Sequence, residues 1–155
     1  MRHLPLALTA AVLVLTAGCG DSQERTVRDP ETGAEMTVQS GERLRAPSNL
    51  PDYAPIYPGG RIESVMEGTS SGESGADSGG MVAFHTDADV ETVARFYRER
   101  FDQSNLSERS ETRISGSLIL SAGSPDNSAD SVQVSIVPRE DEGGSTVSMV
   151  YSNAG

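Results

Sequence analysis

Hydrophobic positions are sparse in this chain, and where they recur they do so with two different periods. Between residues 90 and 101 the apolar side chains Val90, Val93, Ala94, Tyr97 and Phe101 return at steps of three and four, with Glu91, Arg95, Glu99 and Asp102 pointing elsewhere. That spacing predicts a helix with a single buried stripe. Thr86 and Asp89 ahead of it stand at the spacing of a capping box, and Glu91 lies four residues before Arg95, the orientation that favours an ion pair along a helix.

The rest of the pattern alternates. Thr112 to Ser121 places Ile114, Leu118 and Leu120 on one face, Ser131 to Val137 does so with Val132, Val134 and Ile136, and Ser145 to Ser152 with Val147, Met149 and Tyr151. The opposite faces are mostly Ser, Gln and Thr, as in strands wet on one side. Arg61 to Met66 and Met81 to His85 add two more strands, with Ile62 and Val65 of the first expected on opposite faces. The predicted fold is α+β: an antiparallel sheet of about five strands in the order strand, strand, helix, then three strands, with the amphipathic helix packed on one face. The Glu140–Gly144 and Asp126–Asn127 stretches supply turns, and Glu67 to Gly80, almost purely Gly, Ser and acid, is expected to be a mobile loop.

Ahead of this domain two weaker signals stand in series. Arg25–Val27 and Met36–Val38 flank a Pro- and Gly-containing turn and predict a small hairpin, marginal unless it docks. Prolines 47, 51, 55 and 58 then favour an extended run, with Tyr53, Ile56 and Tyr57 lying along a groove of the domain. The organisation expected is a leader over residues 1–18, a tether over 19–24, the hairpin and Pro-rich segment over 25–58, and the α+β domain over 59–155.

Charge narrows the partners. The sequence has 23 acidic residues against 12 basic ones, a formal net charge of −11, and the basic residues are all arginine. Nucleic-acid binding depends on a basic stripe whose counterions are released, and none is present. The same acidity excludes a polybasic attraction to anionic lipid. One cysteine cannot form an internal disulfide, so the domain depends on its apolar core, built without tryptophan and with 5% aromatic residues.

That cysteine carries the clearest motif. Arg2 and His3, the apolar run from Leu4 to Leu15 and the small residues before Cys19 describe an export signal too short to span a bilayer. Leu15-Thr16-Ala17-Gly18-Cys19 resembles the lipobox of bacterial lipoproteins. The resemblance implies cleavage between Gly18 and Cys19 and acylation of Cys19, so that the lipid bilayer is the first partner. It also implies a membrane-anchored protein of the bacterial cell envelope facing the periplasm. Gly20, rather than aspartate, after the cysteine implies the outer membrane by analogy with enteric lipoproteins. Several acyl chains on one residue suffice for stable anchoring. The run Ala54-Pro55-Ile56-Tyr57-Pro58-Gly59 with Phe96-Tyr97 is similar to small envelope lipoproteins carrying a Pro-x-Tyr-Pro-Gly-Ala element. It departs from them at Gly60 and implies fold and location only.

Catalytic chemistry has few candidates. With the leader removed His85 is the sole histidine, and at a strand end it reads first as a surface or capping residue. Gly68 to Gly72 matches Gly-x-Ser-x-Gly but lacks the strand-to-helix elbow that exposes a nucleophile. Asp126, Ser128 and Asp130 begin like a calcium loop that Ser131 and Val137 do not complete, and Glu140, Asp141 and Glu142 read as a solvated turn. No phosphate loop, paired-cysteine site or lysine-dependent motif occurs, so no catalytic residue, metal or cofactor is expected. The chain reads as a non-enzymatic envelope lipoprotein acting through contacts with an envelope protein. The alternative is a periplasmic small-ligand or cation-binding domain whose helix-to-sheet crevice would contain His85 and Tyr97.

Overall fold

The computed structural model describes residues 22–154 apart from 31–32, 42–43, 73–74 and 126–129, and the side chains of all of these but 70–77 and 154. The leader, the Gly18–Cys19 cleavage site and the Asp126–Asn127 turn lie outside the described residues. Among the described residues the strands are β1 (Ser22–Arg28), β2 (Glu35–Gly41), β3 (Arg61–Gly72), β4 (Gly75–Thr86), β5 (Glu108–Ile114), β6 (Ser117–Gly123), β7 (Ser131–Pro138) and β8 (Ser145–Ala154), with one helix, α1 (Val90–Asp102). They form one sheet in the order β1-β2-β3-β4-β8-β7-β6-β5, antiparallel at every pairing. Two four-strand meanders thus meet at β4–β8, and α1 carries the chain across one face from the centre of the sheet to the far edge.

The fold is α+β with one helix on an antiparallel sheet, but the sheet has eight strands where about five were expected. Two local effects account for the difference. The Gly/Ser stretch expected to be a mobile loop instead extends β3 and β4, with Glu67 opposite Gly80, Gly68 opposite Gly79 and Thr69 opposite Ser78. Its composition misled because backbone hydrogen bonds need no side chain, and at Gly80 a Cβ would come within 2.5 Å of the Met66 carbonyl and 2.7 Å of the Tyr151 hydroxyl. The lengthened β3 pairs with β2 from Ser64 to Thr69, so the N-terminal hairpin joins the sheet as its edge. Ser22 to Glu24, expected in the tether, are the first residues of β1.

The second effect is a turn inside the stretch Thr112–Ser121. Ser115 (φ 48) and Gly116 (φ 83) are both left-handed, the conformation of a tight two-residue hairpin turn, and Ile114 pairs with Ser117. Leu118 and Leu120 are buried, while Ile114, expected beside them, is 58% exposed.

The core sits between the inner sheet face and α1. Val65, Val82, Phe84, Leu118, Leu120, Val132, Val134, Ile136, Val147 and Met149 come from the sheet, and Val93, Ala94, Tyr97 and Phe101 from the helix. Burying each large apolar side chain contributes about 1.5–3 kcal/mol. Ile62 and Val65 were expected on opposite faces. A bulge that inserts Glu63 between the Ile62–Phe84 and Ser64–Ala83 pairs turns both inward.

The N-cap of α1 is Asp89, whose carboxylate accepts from the Thr92 backbone N–H at 2.8 Å and the Thr92 hydroxyl at 2.9 Å. The expected Thr86–Asp89 capping box therefore does not form: Asp89, its expected acid, is itself the cap, and the Thr86 hydroxyl accepts from the Ala88 N–H. Glu91 pairs with Arg98 and Arg113 rather than with Arg95.

The Pro-rich segment runs as successive turns, not as an extended rod, with Leu50, Ala54 and Gly60 donating to the carbonyls three residues earlier. Folded this way it lays Leu44, Leu50, Tyr53, Ile56 and Tyr57 against the core and buries Ala54 completely. Gly60 has no room for the alanine of the resembling element, because a Cβ there would approach Phe84 to 2.8 Å and the Tyr57 carbonyl to 2.9 Å.

Candidate functional site

His85 is on β4 between Phe84 and Thr86, which are buried, so its side chain projects from the sheet face opposite the helix. The bulged Glu63 meets its Nδ1 at 3.0 Å, and Arg61 donates from Nε to its Nε2 at 2.7 Å. A guanidinium only donates, so Nε2 accepts and Nδ1 carries the proton given to Glu63. Arg61 also holds Asp87 at 3.0 Å. Both ring nitrogens are engaged in this surface cluster.

Tyr97 faces the other way. It is fully buried in the helix–sheet core, its hydroxyl donates to the Pro55 carbonyl at 3.0 Å, and burial raises its pKa well above the usual phenol value. His85 and Tyr97 are on opposite sides of the sheet, so the crevice expected to contain both does not form. The space beside Tyr97 is filled by the turn segment, which two more hydroxyls hold at Asn49 and Tyr53. Tyr53 donates to the Ser152 carbonyl at 2.6 Å, and Tyr151 donates to Asn49 Oδ1 at 2.8 Å. Burial, with the Asp130 charge behind it, pushes Tyr53 up to about 12.

The described surface has shallow, open depressions. One of about 330 Å³ lies between the end of α1 and β5–β6, beside Arg98, Arg109, Asp102 and Glu111. Its arginines are engaged: Arg98 grips Glu111 at 2.9 and 3.0 Å, and Arg109 holds Asp102 and the Phe101 carbonyl. Another, of about 250 Å³, lies beside Glu35, Glu67, Ser48 and Asn49. Among the described residues no group of three or more His, Cys, Asp or Glu side chains is placed to hold a metal ion. Gly68–Gly72 lies in β3 and leads into another strand, so it forms no nucleophile elbow. The incomplete calcium loop falls largely outside the described residues.

The feature that stands out is the sheet face away from α1. Among the described residues the exposed large hydrophobics are Val27, Met36, Val38, Ile114, Val137 and Val150, and strand alternation puts every one of them on that outer face. Val38, Met66, Met81 and Val150 stand opposite one another in turn across β2, β3, β4 and β8. The flanking row on one side is Met36, Gly68, Gly79 and Ser152, and on the other Ser40, Ser64, Ala83 and Ser148. Continued through β7 and β6, the three rows add Gln133, Ser121, Ser131, Gly123, Ser135 and Ile119.

These three rows contain no carboxylate between β2 and β6, although the chain has 23 acidic residues. Arg61, His85, Glu63 and Asp87 form a charged rim at one end. Sequence reading missed this face because each strand contributes only one or two apolar residues to it. The signal available was the phase of Met66, Met81 and Val150, each out of step with the core residues of its own strand.

A family model described as START domain-like matches residues 62–145, from early β3 to the first residue of β8. The N-terminal hairpin and the turn segment precede the matched stretch. No curated protein and no solved structure shows a significant match to the chain.

Proposed function

The chain belongs to the START domain-like family, and from that premise we propose that it is a non-enzymatic lipoprotein of the cell envelope whose domain acts through protein contacts. Acylation of Cys19 would hold it at the membrane, the outer membrane by the Gly20 analogy, with the domain facing the periplasm. The observation carrying this reading is the outer sheet face, where the exposed large hydrophobics of the described residues lie and whose middle rows, which hold Met36, Val38 and Val150, are free of carboxylates. A strongly acidic chain that keeps the middle of one sheet face free of carboxylates, with branched and thioether side chains there, has the surface expected of an interaction site.

The proposed anchor fits the position of β1. Only Gly20 and Asp21 separate Cys19 from Ser22, the first residue of β1, so an acylated cysteine would keep the edge strand within about 10 Å of its attachment point. Contacts would then be made close to the membrane surface.

A photo-crosslinking residue at Val150 in the full chain, compared with one at Glu99 on the exposed side of α1, tests the reading in intact cells. Protein adducts confined to Val150 are the expected result. An adduct pattern equal at the two positions, or none at either, contradicts it. The intact mass of the native protein tests the anchor separately, acyl chains on Cys19 being expected.

A further inference from the structure

We propose that the occupant of the outer sheet face is a second copy of this chain, the two sheets packing face to face about a two-fold axis. The inference rests on the reading of that face as a protein-contact surface and names its partner. Charge is the first argument. At −11 each, two copies repel one another wherever carboxylates meet, and the rows through Val38, Met66, Met81 and Val150 allow contact without setting carboxylate against carboxylate. The ionic rim of Arg61, His85, Glu63 and Asp87 pairs within one chain and lies at the margin, so it need not be desolvated.

Area and shape are the second argument. The three rows, across six adjacent strands at about 4.8 Å spacing and five residues deep at about 3.3 Å each, present roughly 480 Å² in projection. Two such faces together bury on the order of 1,000 Å², the size of the smaller, weakly associating interfaces, so the dimer is one that forms as concentration rises. Gly68 and Gly79 on one side, and Ala83 and Ser148 on the other, keep low strips beside the taller middle row of Met66, Met81 and Val150. A surface with low strips beside taller thioether and branched side chains interdigitates with its own image, as aligned sheets do at about 10 Å separation. An isologous contact of this kind closes on itself.

A lipid surface suits the face less well. Interfacial docking uses aromatic residues backed by Lys or Arg. These rows have no aromatic residue, and Arg25 on β1, opposite Val38, is the one cation at their end.

The test is sedimentation of the full chain, solubilised from native membranes, together with crosslinking at Val150. A dimer is expected, strengthened as salt screens the charge of the two copies. Val150→Asp should weaken dimerisation by about tenfold or more, whereas Glu99→Lys should leave it intact, with both variants retaining the far-ultraviolet spectrum of the native fold. Met66→Asp provides a second disruption within the same row. A dimer untouched by both aspartate variants would overturn the inference. A monomer whose Val150 position crosslinks to a different protein would overturn it too, while leaving the protein-contact reading standing. A monomer without any adduct at Val150 would overturn both.

Discussion

The Arg98 guanidinium of the helix grips the Glu111 carboxylate of β5 at two points, 2.9 and 3.0 Å apart. The same arginine reaches Glu91 at 2.8 Å, and Arg113 closes the group from the strand side. Every residue of β5 is exposed, so this edge strand is tied to the helix by charge rather than by apolar contact. A double-mutant cycle on Arg98→Ala and Glu111→Ala should give a coupling below about 1 kcal/mol, as for a solvent-facing pair. Denaturant midpoints at low and high salt check it, with the coupling expected to shrink as salt rises.

Stability should fall at both ends of the pH scale for different reasons. Hydrogen bonds from Thr92 hold Asp89 below its usual pKa, and those from Arg98 do the same for Glu91 and Glu111. Each binds protons less readily when folded, so its contribution is present above about pH 4 and is lost as pH falls through the folded values. Tyr53, at about 12 when folded, keeps its proton where the unfolded phenol has lost it. Its contribution is present below about pH 10 and disappears as pH rises towards the folded value. Unfolding midpoints across the pH range, with tyrosinate absorbance followed at the alkaline end, test both limbs.

Gly143 and Gly144, in the turn between β7 and β8, separate backbone strain from steric approach. Both have positive φ, 72° and 77°, but a Cβ at Gly143 meets nothing within 4 Å, whereas one at Gly144 would lie 2.1 Å from the Thr86 carbonyl. Gly143→Ala should cost about 1–2 kcal/mol, the penalty of a left-handed residue. Gly144→Ala should cost clearly more, on the order of 3 kcal/mol, because the backbone before α1 must move. Thermal or denaturant unfolding of the two variants gives the comparison.

What could be read from the sequence follows from how local each determinant is. The helix was legible because Val93, Ala94, Tyr97 and Phe101 share a stripe that needs no knowledge of their partner, and all four are buried. The phases of Val132–Ile136 and Val147–Tyr151 were legible for the same reason. The Glu63 bulge was not, because one inserted residue shows only against the strand it pairs with. The glycine-rich arms of β3 and β4 were hidden by a composition that signals loops, and the Ser115–Gly116 turn by an apolar alternation that continues through it. As for the site, His85 was correctly placed at a strand end. Its partners Glu63 and Arg61 depend on strand pairing, and the expected link to Tyr97 fails because strand and helix direct the two side chains to opposite sides of the sheet.

The Tyr97 hydroxyl fastens the turn segment to the helix by donating to the Pro55 carbonyl. Tyr97→Phe should destabilise the domain by about 1 kcal/mol, the net value of one such bond. Hydrogen exchange should speed up at Ala54 and Gly60, whose N–H groups close the neighbouring turns. An effect confined to global stability, with no change in that segment, would mean that the bond does not fasten it.

The outer face as a buried contact is tested most directly by oxidative footprinting of the methionines in the full chain, from dilute to concentrated. Met66 and Met81 lie on that face, in paired register, while Met149 is fully buried in the core and serves as an internal reference. Met66 and Met81 are expected to become protected as concentration rises and to lose that protection in Val150→Asp, with Met149 protected throughout. Equal oxidation of Met66 and Met81 at every concentration, with Met149 still protected, would contradict a buried contact at this face.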